Sequence, residues 1–300
     1  MSGPVNYAVV TPAYNEAEHL NALAEALLVQ KIRPCAWVIV DNGSSDETAT
    51  IGSGLAQEHD WITFRSIGRD AATARGGPVV RAFHAGLEDV GADADVVVKL
   101  DADITFAPDH FERLLSSFAR DPQLGIAAGT CYERDPDGIW RQRHSSGIGI
   151  RGACRAYRRE CLQTVLPLEE RIGWDTIDLV KASVRGWRTA VVEDLAFKHH
   201  RREGAREPNG WERWRAQGEA SHFMGYRPSY LLLRVSYRAV RQPAAVALLV
   251  GYAGARLAGR QRCPDPLVIA FIRRQQSLRR LLHRVRQAVR RRHALSEILT

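Results

Sequence analysis

The chain is poor in cysteine. Its five thiols, Cys35, Cys131, Cys154, Cys161 and Cys263, are odd in number, and no two stand at C-x-x-C spacing. This argues against a disulfide framework or a thiolate zinc site and favours a reducing compartment. Long apolar runs are also missing. No stretch reaches the roughly 18 uncharged apolar residues of a membrane-spanning helix, and the nearest, Pro243 to Ala255, stops at Arg256. The opening MSGPVNYAVV has neither the basic segment nor the apolar core of a secretory signal, so a cytoplasmic location is expected. Internal repeats and low-complexity tracts are absent as well, apart from an enrichment of arginine at the end.

What is present is a large apolar fraction, 45%, in 300 residues, enough for one sizeable α/β domain and an appendage. The formal charge of +8 is unevenly placed. From Arg256 to Thr300 twelve arginines face only Asp265 and Glu297, a segment net of +10, which leaves −2 for the other 255 residues. A nearly neutral body with a basic tail suits a tail that meets an anionic surface, and not a whole protein built around nucleic acid.

The first half alternates short apolar runs with helical periodicity. Strands are expected at Tyr7–Val10, Ala36–Val40, Ile62–Phe64, Val96–Leu100 and Ile126–Thr130. Between them, Leu20, Leu23, Ala24 and Leu27 share one helical face, as do Phe111, Leu114, Leu115 and Phe118, and another helix is expected near Val79–Leu87. Continuous apolar strands joined by helices predict a mostly parallel sheet flanked by helices. Thr130 to Trp174 is less regular, and after it a helix is expected from about Asp175 to Val184 and a strand at Thr189–Val192. From Tyr226 the pattern changes to arginine-punctuated apolar helices, which divides the chain into residues 1–225 and a basic helical extension, 226–300.

Two acidic clusters fall at expected strand ends. Asp41-Asn42-Gly43-Ser44-Ser45-Asp46 closes the second strand, with Ser45 or Asp46 placed to cap the next helix. Asp101-Ala102-Asp103 closes the fourth, and alternate residues there bring two carboxylates to one side. Hard oxygen donors of this kind suit Mg²⁺ or Mn²⁺ completed by substrate phosphates. In parallel sheets, ligands bind beyond the carboxyl ends of the strands, where both clusters lie.

Taken with Thr11-Pro12-Ala13-Tyr14-Asn15-Glu16, these clusters resemble the family 2 glycosyltransferases, whose order is P-x-Y-N-E, then D-[DN]-x-S-x-D-x-T, then D-x-D. The resemblance spans about residues 5 to 225. It implies a GT-A fold and transfer of a sugar, with inversion, from a UDP, dTDP or GDP donor to a hydroxyl of a lipid-linked glycan or polysaccharide precursor. It also implies that Pro12, Tyr14, Glu16 and Asp41 line the nucleoside pocket, that Asp101 serves ribose and metal, and that Asp103 is the direct metal ligand. His199 and His200 stand where a late histidine completes the metal shell, and sequence does not choose between them. Arg201 and Arg202 are placed to pair with the diphosphate or an anionic acceptor.

Inversion needs a general base for the acceptor hydroxyl. Gly173-Trp174-Asp175-Thr176-Ile177-Asp178-Leu179 matches the family's E-D-x-D-L only in part, and it offers Asp175 first and Asp178 second. Gly147 to Gly152 spells GxGxxG but follows no strand, so a dinucleotide reading is weak. Arg151 and Gly152 are expected near the donor instead.

From Leu267 apolar positions recur at helical spacing among arginines, the pattern of an in-plane membrane helix. A helix packed on the catalytic domain, a dimer helix or a nucleic-acid tail would show the same pattern; the resemblance, whose members often act on lipid-linked acceptors, favours a peripheral position at the inner face of the plasma membrane. Two other readings compete. A nucleic-acid- or membrane-binding protein with a non-catalytic α/β body is disfavoured as a nucleic-acid binder by the neutral body and the lack of aromatic interleaving in the tail. A nucleotidyltransferase would show a glycine-rich phosphate loop near the N-terminus, which Pro12 to Glu16 does not.

Overall fold

The computed structural model describes residues 5–68, 76–143, 150–201 and 210–277. The chain divides into two compact units, Met1–Arg206 and Glu207–Thr300.

In the first unit the expected strands form β1 (Tyr7–Ala13), β2 (Ala36–Asp41), β3 (Ile62–Ser66) and β4 (Val96–Leu100). They lie in the order β3-β2-β1-β4, all parallel, because helices α1 (Leu20–Leu28), α2 (Thr48–Glu58) and α3 (Gly77–Leu87) carry the chain back each time. Strands β1, β2 and β4 are buried almost throughout, as continuous apolar runs require, whereas β3, at the sheet edge, buries only Ile62. The helical stripes pack as their periodicity dictates: α1 buries Leu20, Leu23, Ala24 and Leu27, and α4 (His110–Arg120) buries Phe111, Leu114, Leu115 and Phe118. Two apolar cores result, one around Trp37, Phe111 and Phe118 and the other around Phe83, Tyr157 and Leu179.

Beyond β4 the sheet changes direction. The irregular middle supplies β6 (Leu124–Arg134), β7 (Trp140–Gln142) and β8 (Cys154–Arg158), and β8 inserts antiparallel between β4 and β6. The parallel sheet expected from sequence therefore holds for the first four strands, and the second half is mixed. Strand β9 (Arg188–His199) runs parallel to β6 and antiparallel to the short β5 (Ile104–Phe106), which directly follows the acidic pair. The β6–β9 register slips between Gly129 and Thr130, where β9 skips from Val192 to Ala196. A side chain on Gly129 would run into the Leu195 carbonyl, so glycine is what admits the slip. Downstream of it Glu133 lies opposite His199. Helices α5 (Arg159–Val165) and α6 (Trp174–Val184) complete this unit.

The second unit is helical: α7 (Gly210–Phe223), α8 (Pro228–Ala239), a 3-10 turn at Pro243–Val246, α9 (Ala247–Leu257) and α10 (Pro266–Gln275). Its core gathers Trp214, Leu231, Val235, Leu248 and Tyr252. The division falls earlier than the 225/226 boundary drawn from sequence. The arginine-punctuated pattern begins at Tyr226, but α7 already packs on α9 through Gly218 and Gly251, where a β-carbon would meet the partner backbone. No helix among the described residues is long and apolar enough to cross a membrane. Of the basic amphipathic tail, only the part through Ser277 lies within the described residues.

Candidate active site

The site sits at the carboxyl ends of the parallel strands. The first two loops are tied to one another. Asn15, in the left-handed region at φ 51°, accepts from the Ser45 amide at 2.9 Å, while its own amide donates to Ser44 Oγ at 2.9 Å. The Glu16 amide donates to Thr48 Oγ1 at 2.7 Å, and Asp46, one residue before the N-cap Glu47, accepts from the Thr48 amide at 3.1 Å; neither Ser45 nor Asp46 occupies the cap position of α2. These bonds fix where Tyr14 and Glu16 point.

A cavity of about 420 Å³ opens there, walled by Pro12, Tyr14 and Glu16 from the first loop, Asn42 from the second, and Pro78, Val79 and Ala82 from α3. Asp101, Asp103, His199 and Arg201 close it. Three expected donor-site residues stand elsewhere. Asp41 is only 2% exposed and lies outside the cavity wall; its carboxylate accepts from the Ser44 amide at 3.2 Å and Ser66 Oγ at 3.4 Å, and Asn42 takes the wall position. Arg151 is also outside the wall, paired with Glu133 at 3.1 Å. Gly152 packs against Trp174 and Asp175 and accepts from Lys99 Nζ at 3.0 Å.

The acidic pair meets its histidine through strand pairing. Ile104 is the register partner of His199, so Asp103 stands beside it, with Oδ1 3.3 Å from Nε2. The other ring nitrogen faces Glu133 Oε1 at 3.7 Å. His200 faces away, as alternation along a strand requires. Its Nε2 meets Thr105 Oγ1 at 2.8 Å, and its ring packs near His19 and Trp140. Geometry thus selects His199 and sets His200 apart from the acidic pair.

Asp101, Asp103 and His199 bring ligand atoms within 4.8 Å of one another, and Cys131, Glu133 and His199 do the same on the other side of the ring. Two carboxylates and an imidazole are a suitable donor set for a divalent cation that keeps open positions for phosphate oxygens. The electrostatics agree. Burial pushes the Asp101 carboxyl up, and Lys99, its ion-pair partner, only partly offsets that. Burial acts on Asp103 too, but the hydrogen bond and charge of His199, with Arg201, hold it below the usual range. Against its own burial, His199 is pushed up to about 10, chiefly by the bond to Asp103. A proton on the imidazole and a bound cation would thus meet the same demand, positive charge against the two carboxylates.

Arg201 spans the nucleoside and metal sides. Its guanidinium grips Glu16 through two bonds, 2.6 and 2.9 Å, and reaches Asp103 at 3.7 Å. Arg202 lies outside the described residues.

The two candidate bases diverge. Asp175 opens α6 in a half-buried position beside Gly152. Asp178, one turn on, is 1% exposed and faces inward to Arg155 and Tyr157. A carboxylate so enclosed stands away from solvent, and Asp175 is the more accessible of the two. Lys99, Asn42 and Glu133 were not singled out from sequence. Lys99 interrupts an apolar strand two residues before Asp101, and that was the one signal available.

The family description "Glycosyl transferase family 2" matches residues 8–167. Among curated proteins, the chain is 28% identical over 220 residues to an undecaprenyl-phosphate 4-deoxy-4-formamido-L-arabinose transferase of Pseudomonas fluorescens, covering 66% of this chain and 60% of that one. It is 31% identical over 113 residues to the succinoglycan biosynthesis protein ExoA of Rhizobium meliloti, covering 36% and 31%. The chain spans about 60% of the length of the first of these relatives. Among solved structures, a mannosyltransferase from Pyrobaculum calidifontis in complex with GDP-Man and Mn²⁺ superposes with a TM-score of 0.56 at 16% identity, covering 89% of this chain and 78% of that one. S. aureus TarS in complex with UDP gives 0.55 at 15%, covering 73% and 66%. At these identities the likeness is one of fold, and the fold is GT-A. With its motifs in family order and more than half its length matched, the chain belongs to glycosyl transferase family 2.

Proposed function

We propose that this chain is an inverting, metal-dependent glycosyltransferase that moves a sugar from a nucleoside diphosphate to a hydroxyl of a lipid-linked glycan or polysaccharide precursor. One observation carries the reading: Asp101, Asp103 and His199 converge at ligand spacing on a cavity large enough for a nucleotide. These three would hold Mg²⁺ or Mn²⁺, which would supply positive charge against the departing diphosphate. Tyr14 offers an aromatic face for the base, and Glu16 and Asn42 supply acceptors for its imino proton or ribose hydroxyls. Arg201 exchanges Glu16 for a phosphate oxygen when donor enters. Asp175 takes the proton of the acceptor hydroxyl as that oxygen bonds to the anomeric carbon from the face opposite the breaking bond.

The lipid-linked acceptor is supported by the relative named for undecaprenyl phosphate and by the basic helical unit. Both also favour a peripheral position at the inner face of the plasma membrane. The test is isothermal titration of UDP-, GDP- and dTDP-sugars with Mn²⁺ into wild type and Asp103→Ala. One donor class is expected to bind, only with metal, and Asp103→Ala to abolish binding. A chain that binds none of them with any divalent metal is not a transferase of this kind.

A further inference from the structure

We propose that one face of α10 forms a second site, which takes a phosphate group carried on an apolar molecule, the headgroup of an anionic membrane lipid. The site lies wholly in the helical unit and does not depend on the reading of the donor cavity.

An open cleft of about 710 Å³ runs along α10. Pro266, Ile269 and Ala270 line it from the first turns and Arg273 and Arg274 from the last, the i, i+3, i+4, i+7, i+8 spacing of one helical face. The face is therefore apolar at one end and cationic at the other, and its two ends are about 12 Å apart at the helical rise per residue. Arg227 and Arg262 enter from outside the helix to join the cationic end.

Cations near the last turn of a helix are ordinary, since the macrodipole favours them there. That does not explain two further arginines brought to the same cleft from other segments. Two of the four arginines are also held in place. Arg227 Nε donates to the Arg273 carbonyl at 3.1 Å, and Arg273 Nε to the Gly225 carbonyl at 2.9 Å. Those bonds fix both guanidinium planes and leave their terminal nitrogens for another acceptor. Among the described residues none of the four arginines pairs with a carboxylate. From Arg227 to Ser277 nine arginines face one acid, Asp265, whose carboxylate caps α10 by accepting from the Leu267 amide at 3.0 Å. Four like charges around one cleft repel unless an anion lies between them, and forked guanidiniums match phosphate.

The apolar end decides which phosphate. Pro266, Ile269 and Ala270, with the exposed Leu267 beside them, suit hydrocarbon and give nothing to a sugar or nucleic acid backbone. The cleft wall has no aromatic ring on which a base would stack. A lipid phosphate with its chain toward Pro266 satisfies both ends.

The test uses the full chain and vesicles of phosphatidylcholine, with and without phosphatidylglycerol. Wild type is expected to co-sediment only with the anionic vesicles. Arg262→Gln/Arg274→Gln removes two cleft charges whose side chains make no hydrogen bond among the described residues. It should weaken partitioning by on the order of tenfold, whereas Arg238→Gln/Arg241→Gln, an equal charge loss at the end of α8 and just beyond it, outside the cleft, should change it by less than about twofold. Melting curves and Mn²⁺-donor titrations unchanged in both variants exclude a folding defect. Equal losses in the two variants would reduce the effect to diffuse charge and overturn the proposal. Saturable binding of inorganic phosphate at constant ionic strength, lost in the cleft variant while vesicle binding persists, would transfer the site to a soluble phosphate. An oligonucleotide that displaces the vesicles with the same arginine dependence would replace the lipid with nucleic acid.

Discussion

Arg155 and Asp178 face one another in the interior, with Arg155 Nη1 2.6 and 2.7 Å from the two carboxylate oxygens. The Tyr157 hydroxyl donates to the same carboxylate at 2.6 Å. The Asp175 carbonyl accepts from that guanidinium at 2.8 Å, so the buried pair anchors the first turn of α6 and with it the proposed base.

The two aspartates should therefore fail in different ways. Asp178→Ala strands a buried arginine and should cost about 3–5 kcal/mol of stability, read as a fall in the denaturant midpoint. Asp175→Asn should leave the melting temperature nearly unchanged and lower the transfer rate by about 10²–10⁴-fold. A variant of Asp175 that retains wild-type turnover would exclude it as the base.

Glu133 faces the His199 nitrogen that points away from Asp103, and Arg143 and Arg151 hold it at 3.2 and 3.1 Å. At 3.7 Å this is a charge contact without a hydrogen bond, and a carboxylate behind a ligand histidine raises its basicity. Glu133→Gln should accordingly weaken Mn²⁺ binding by about 10–100-fold, measured by calorimetry without donor. An unchanged Mn²⁺ affinity would show that Glu133 serves only Arg143 and Arg151.

His110 is fully enclosed at the start of α4, and burial lowers its pKa to about 4. Between that value and its ordinary 6.5 the unfolded chain binds a proton that the folded chain does not, so stability rises with pH across this window. The contribution is complete above about pH 6.5 and is lost as pH falls toward 4, a change of roughly 3 kcal/mol. Urea midpoints at neutral and mildly acidic pH should show a steeper loss for wild type than for His110→Gln. Parallel slopes would contradict this.

Gly218 of α7 and Gly251 of α9 let two helices touch backbone to backbone. A β-carbon on Gly218 would lie 2.8 Å from the Tyr252 amide nitrogen, and one on Gly251 2.8 Å from the Arg215 carbonyl carbon. Gly218→Ala should destabilise the helical unit by about 1–3 kcal/mol or more, visible as faster proteolysis within residues 210–277. Gly254→Ala, where nothing lies nearby, is the neutral control.

The sequence by itself determined the parallel half of the sheet, because β1, β2 and β4 are buried on both faces and so read as largely apolar runs. It also marked the strand-end loops, whose asparagine, serine and aspartate serve turns as well as ligands, and the two carboxylates Asp101 and Asp103. It could not separate His199 from His200, and it ranked Asp175 before Asp178 without showing how differently the two are buried. Each choice depends on which face of an element meets a partner far along the chain: β5 and β6 for the histidines, Arg155 on β8 for the aspartates. The short strands β5, β7 and β8 were illegible for the same reason, since they exist through pairing and not through local pattern. The tail's arginines were plain in the sequence, but only the packing of α10 with Arg227 and Arg262 brought four of them to one cleft. Local periodicity fixes what a segment buries, and the contacts between distant segments fix which side chains meet.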